Sequence, residues 1–167
     1  MFSRIQWVSA LNSTLSLRLK SPVHGHAGPC NERAPALFSS GLAGDGIWLE
    51  LRENQILAPF SGQFSRSNAT GQQLCWRHSS GLVMQLDFPD FTKERMGQGF
   101  VWSVPQQTSV VAGQQMALFD LGLLTLGPNP LGVMLKLHPH PKINRIYCRA
   151  GYHQAYSDDL LALQLSS

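Results

Sequence analysis

Charge is scarce in this sequence. Of 167 residues only 14% are Asp, Glu, Lys or Arg, against a hydrophobic content of 43%. A chain so sparing with charge is compact rather than disordered. Its length suits one domain with a sizeable core. Thirteen basic and ten acidic residues leave a net charge of only +3. No basic stripe interleaves with aromatics, so nucleic acid is not an expected partner. Cysteine is rare too: Cys30, Cys75 and Cys148 are too few and too scattered for a disulfide framework or a zinc ribbon. A reducing cytoplasm fits that usage, and Cys75, in Leu74-Cys75-Trp76, reads as a small core residue. No run of 18 apolar residues occurs, so no segment reads as a membrane-spanning helix.

Catalytic signatures are also missing. A nucleophile-elbow motif is absent, and Gly44-Asp45-Gly46 is a turn rather than a phosphate cradle, because no Lys-Ser/Thr follows it. His24-Gly25-His26 and His138-Pro139-His140 each place two rings on one side of an extended chain. Two ligands do not complete a metal site, so surface histidines are the expectation, with no metal and no cofactor.

What the chain has in quantity is turn residues, 15 Gly and 10 Pro spread along its length. Between them lie short apolar or alternating runs. Residues 44–51 turn and then alternate, with Ile47, Leu49 and Leu51 on one side and Trp48 and Glu50 on the other. Residues 55–64 hold a strand, a break at Pro59 and a turn at Ser61-Gly62. His78-Ser79-Ser80-Gly81 turns 72–77 into the strand 81–88, a hairpin. In that strand Leu82, Met84, Leu86 and Phe88 share one face; Val83, Gln85 and Asp87 share the other. Further runs follow at 109–121, 131–137 and after the turn 149–152. Asp120 to Leu124 suits one helical turn. Strands separated by turns at such intervals predict an all-β sandwich or barrel. At the N-terminus Phe2, Ile5, Val8 and Leu11 recur at helical spacing, which suits a short amphipathic helix over residues 1–18 able to touch a membrane surface weakly. Lys136, Lys142, Arg145 and Arg149, with His138 and His140 between them, read as a solvated hairpin sooner than as a patch for an anionic partner.

The order of these marks resembles the glucose family of enzyme IIA, from the bacterial phosphoenolpyruvate-dependent sugar phosphotransferase system (EIIA type 1). SPVHG at 21–25 is similar to the family's "sP.sG"; Phe38 with GDGI at 44–47 to "vFa….GdGi"; NQILAPFSGQF at 54–64 to "…vaP.dG.i". GQGF at 97–100 resembles "G.GF", VVAGQQMALFD at 110–120 resembles "V..Gd.li.fD", and RAGYHQAYSDDLLAL is like the closing strands. From Ser21 to Asp120 no gap is needed, and the likeness covers about 145 residues.

The resemblance implies an antiparallel β-sandwich or flattened barrel over residues 19–167. It also implies a phosphate relay in which one histidine takes the phosphoryl group from the carrier HPr and passes it to a sugar permease subunit. A second histidine supports the first, in a shallow apolar depression. By match, the phosphoacceptor of "tnHa" falls on Gln72, the supporting histidine of "l.vHfGidT" falls on Asp87, and Thr70 matches the family's supporting threonine. An amide nitrogen is not a nucleophile, so Gln72 cannot carry phosphate. An acyl phosphate on Asp87 would need a divalent metal and a cluster of acids, and only Asp90 is close in sequence. Asp87 alone reads as a solvated carboxylate at a strand end, or as a fixed charge imitating the phosphorylated protein. His78, six residues past Gln72, falls in the turn. Leu37, Phe38, Leu42 and Phe88 match apolar positions of the rim, with core packing as the alternative, and Asp90 joins them as a partner-contacting residue.

The expectation is a pseudo-phosphocarrier, with no catalytic residue, acting as a regulatory module on proteins such as HPr, a sugar permease or regulators. The alternatives are an active carrier with a displaced acceptor, His78 or Asp87, and a scaffold for an unrelated ligand.

Overall fold

The chain leaves one strand and enters the next wherever Gly, Pro, Ser or Asn interrupts an apolar run, and the pairing that results is almost wholly antiparallel. A computed structural model describes residues 5–12, 14, 17–29, 46–67, 73–88, 99–125 and 131–166. Its strands are β1 (Ile5–Val8), β2 (Leu17–Lys20), β3 (Val23–Gly28), β4 (Ile47–Leu57), β5 (Gly62–Ser67), β6 (Gln73–Arg77) and β7 (Val83–Asp87). Then come β8 (Phe100–Trp102), β9 (Gln107–Val110), β10 (Gln115–Phe119), β11 (Gly132–Leu137), β12 (Ile143–Arg149), β13 (Gly151–His153) and β14 (Asp159–Leu165). The one helical turn among the described residues, α1 (Leu121–Leu124), is capped by the Asp120 side chain, which accepts from the Leu123 amide at 3.0 Å.

The large sheet runs β13-β3-β4-β11-β7-β6-β5-β9, with β10 on β4 and β8 on β10; the small one runs β1-β12-β14-β2. This is the all-β flattened barrel that the resemblance implied. The β6–β7 hairpin forms as its sequence suggests. His78 N donates to Leu82 O at 2.8 Å, Gly81 N donates to His78 O at 2.9 Å, and Gly81 takes φ +91°, where only glycine is unstrained. Core residues follow from register. Leu74 pairs with Leu86 and Leu86 with Leu135; Val133 pairs with Leu49 and Leu49 with Ala27; all face inward and are buried. Each fully buried Val or Leu side chain among them contributes roughly 1.5–3 kcal/mol.

The N-terminal expectation is corrected. Ile5–Val8 is not helical: it is β1, lying parallel to β12 with Ile5 opposite Ile146 and Trp7 opposite Cys148. Ile5 and Trp7, two apart, pack against the core, so the period-2 reading of IQWV wins over the helical one once β12 offers a ladder. Residues 17–20 pair with β14, so the boundary drawn at residue 18 cuts through a strand of the small sheet.

Candidate functional site

The face of β7 opposite the core carries Val83, Gln85 and Asp87. Alternation led to an exposed Asp87; the structure buries it, with 9% exposure, as it does Gln85. The register explains the setting. Asp87 lies in the middle of the sheet, opposite Gln73 on β6 and Met134 on β11; Gln85 lies opposite Cys75 and Lys136. The neighbours are therefore polar or soft, and they satisfy the carboxylate. Gln85 Nε2 donates to Asp87 Oδ1 at 2.9 Å and to Oδ2 at 3.0 Å, and Lys136 Nζ stands 3.3 Å from Oδ2. A buried carboxylate persists only with such partners.

Gln85 passes the order on. Its amide faces Asp87, so its Oε1 accepts, and His138 Nε2–H donates to it at 2.7 Å. That fixes a proton on His138 Nε2, and no partner meets its Nδ1 among the described residues. Sequence reading placed His138 in a surface pair and missed this contact. The usable signal was that Lys136 and His138, two apart on a strand, share a face. Which face they share needs the β7–β11 register.

Cys75 is corrected as well. It is half-buried on this polar face, not in the core, with Sγ 4.0 Å from Gln85 Oε1. Burial raises its pKa, Asp87 raises it further, and Arg77 opposes. The thiol therefore stays protonated near neutral pH and is a poor nucleophile.

The floor beside Asp87 is apolar. Trp48 on β4 lies over Gly132 of β11, where a Cβ would collide with the indole, and Met134 lies over Gly46 in the same way. Two glycines let two large side chains lie down across the sheet instead of standing off it.

The other sequence-picked residues divide. Gln72, Thr70, Leu37, Phe38, Leu42 and Asp90 lie outside the described residues, as does Cys30. Phe88 is 2% exposed and packs edge-on against Phe100 and Phe119, with centroids 5.0 and 5.6 Å away. Of the two readings for Phe88, the core one holds and the rim one is corrected. His78 is not on the Asp87 face. It sits at the end of the hairpin, edge-on to Phe60, with its Nδ1 accepting from the Ser80 amide at 3.1 Å. The basic cluster does not form one patch either: Lys136 serves Asp87, while Arg149 donates to the Tyr152 carbonyl at 3.1 Å.

Neither HxH pair chelates. His24 is buried and uses both nitrogens, Nδ1 on the Ala155 amide at 3.1 Å and Nε2 on Gln55 Oε1 at 3.3 Å. His138 is turned to Gln85, and His140 Nε2 donates to Ser80 O at 3.2 Å.

Residues 17–131 match the family described as the phosphoenolpyruvate-dependent sugar phosphotransferase system, EIIA 1. The chain belongs to this EIIA family. A glucose-specific EIIBCA component of the sugar phosphotransferase system from Corynebacterium glutamicum is 29% identical over 104 residues, which is 62% of this chain and 15% of that protein. The chain thus spans a small part of that relative's length. The glucose permease IIA of Mycoplasma capricolum has a similar fold, with a TM-score of 0.70 at 21% identity, over 87% of this chain and 94% of that one. Among the described residues, no helix is long and apolar enough to cross a membrane.

Proposed function

We propose that this EIIA-family chain is a cytoplasmic, protein-binding module of the sugar phosphotransferase system that carries no phosphate at the two positions where the family's histidines would fall. The observation that supports this is Asp87. Both of its oxygens accept from Gln85, and Lys136 compensates its charge. A carboxylate so engaged is a poor nucleophile. It is also a poor imitation of phosphate, whose charge is larger and faces outward. The phosphate-mimic idea thus gives way to a structural role for Asp87. Trp48 and Met134 beside it are buried and form packed support beneath this group rather than a contact surface, so docking of a protein such as HPr or a permease subunit rests on membership of the family, with binding outliving chemistry.

One observation favours a second reading. His138 is exposed, oriented by Gln85 and without a partner at Nδ1 among the described residues, as a phosphoacceptor needs to be. Transfer there would form an Nδ1–P bond as the donor's N–P bond breaks.

One experiment separates the readings: incubate the protein with labelled phosphoenolpyruvate, enzyme I and HPr, and measure HPr binding by calorimetry in parallel. Binding without label is the expected result. Acid-labile, alkali-stable label that disappears in His138→Gln would establish the second reading. Alkali-labile label would identify Asp87 and overturn both. Neither label nor binding of HPr or a permease subunit would remove the chain from the relay altogether.

A further inference from the structure

A cavity of about 430 Å³ opens between the small sheet and the β6–β7 hairpin, away from the Asp87 face. Its walls are apolar and come from both sides: Leu19, Leu163 and Ile143 from the small sheet, Phe60 and Leu82 from the large one. Leu17 and Leu165, exposed by 38% and 48%, stand at its mouth. Its polar lining is of one kind. Arg18, Lys142, His78, His140 and Ser80 line it, and among the described residues no Asp or Glu does.

The hydrogen bonds show which of these groups are spoken for. Arg18 is held by Asp159 at 3.4 Å and by the Asn12 carbonyl at 3.0 Å. His140 is engaged at both nitrogens, donating from Nε2 to Ser80 O and accepting at Nδ1 from the Lys142 amide at 3.1 Å. His78 accepts at Nδ1 from the Ser80 amide and hydroxyl, at 3.1 and 2.9 Å. Its proton is therefore on Nε2, which remains able to donate. The Lys142 ammonium is exposed, and no ion pair holds it among the described residues. An apolar gap of ligand-pocket size thus carries a donor and a cation that no anion answers among the described residues.

We propose that this gap binds a single-chain carboxylate amphiphile, its alkyl chain between the two sheets and its carboxylate on Lys142 Nζ and His78 Nε2–H. The charge at the mouth sets the choice. A neutral or cationic amphiphile would bury the same apolar area but leave Lys142 unanswered or repelled. The site is separate from the one under Proposed function and stands or falls by itself.

Decanoate is the probe. Titration into the full chain, followed by calorimetry and by shifts of the Leu163 and Leu82 methyl resonances, should show one saturable site. Decanol should bind several-fold more weakly. Lys142→Gln, exposed and checked for unchanged folding by circular dichroism, should weaken decanoate by up to about fivefold, the range of one exposed charge pair, and leave decanol unchanged. Leu165→Gln should weaken both. Absence of saturable decanoate binding would overturn the proposal. So would equal decanoate affinity in wild type and Lys142→Gln, which would make the gap an apolar site with no recognition of the carboxylate. Sedimentation with phosphatidylglycerol vesicles, but no binding of monomeric decanoate, would make it a membrane contact and equally overturn it.

Discussion

Asp87 shows how a single residue changes its meaning with its neighbours. On an isolated strand end it would be a solvated charge, and replacing it would cost nothing. Between β6 and β11 it is a buried acceptor for Gln85 and Lys136, and removal leaves those groups half-satisfied. Asp87→Asn keeps the shape and one acceptor but strands the Lys136 charge. It should cost about 1–3 kcal/mol in urea unfolding at neutral pH. A change within experimental error would mean the ion pair contributes nothing. His138 should lose its fixed ring orientation in Gln85→Ala, since Gln85 is the link between the two.

At the scale of elements, β4 and β11 form the floor of the site, and they do so because glycines at 46 and 132 accept Met134 and Trp48 lying flat. Gly132→Ala should force the indole up. Overpacking of this kind costs roughly 1–3 kcal/mol, and the change should be visible as a shift in tryptophan fluorescence together with a lower urea midpoint. An unchanged midpoint would show that the strands separate easily there. Much at this scale was legible beforehand. The β6–β7 hairpin was readable from His78-Ser79-Ser80-Gly81, because a glycine at positive φ closes it, and α1 from Asp120, because a carboxylate caps it. β1 was not legible. Its four residues fit either a helix face or a strand, and only the ladder offered by β12 decides between them.

Across the whole molecule, acid stability depends on a histidine that no site uses. His153 is fully buried on β13, donates from Nδ1 to Gly151 O at 3.0 Å, and has no partner for Nε2 among the described residues. Burial, with help from Arg149, pushes its pKa from 6.5 down to about 4. The unfolded chain therefore takes up this proton first as pH falls. The stability this group contributes is complete above pH 6.5 and is lost progressively between 6.5 and about 4. The loss amounts to roughly 3 kcal/mol, at 1.36 kcal/mol per pKa unit. His153→Asn keeps a donor for Gly151 and removes the titration, so thermal unfolding followed from pH 7 to pH 4 should show a shallower decline in that variant. Parallel declines would place the acid sensitivity elsewhere.

The sequence by itself determined the all-β class, most turns and the family, because these depend on local chemistry: glycine and proline where the chain must bend, alternation where one face is buried, and a fixed order of short motifs. It also placed glutamine and aspartate where the resemblance puts the histidines. Tertiary structure alone decided what the aspartate does. Strand register is a long-range property, and it brought Gln85, Lys136 and His138 around Asp87 and drew Phe88 into the core. The gap between the two sheets was invisible for the same reason. Its walls come from segments up to 148 positions apart, Leu17 to Leu165, and nothing in the local pattern of either segment records the other.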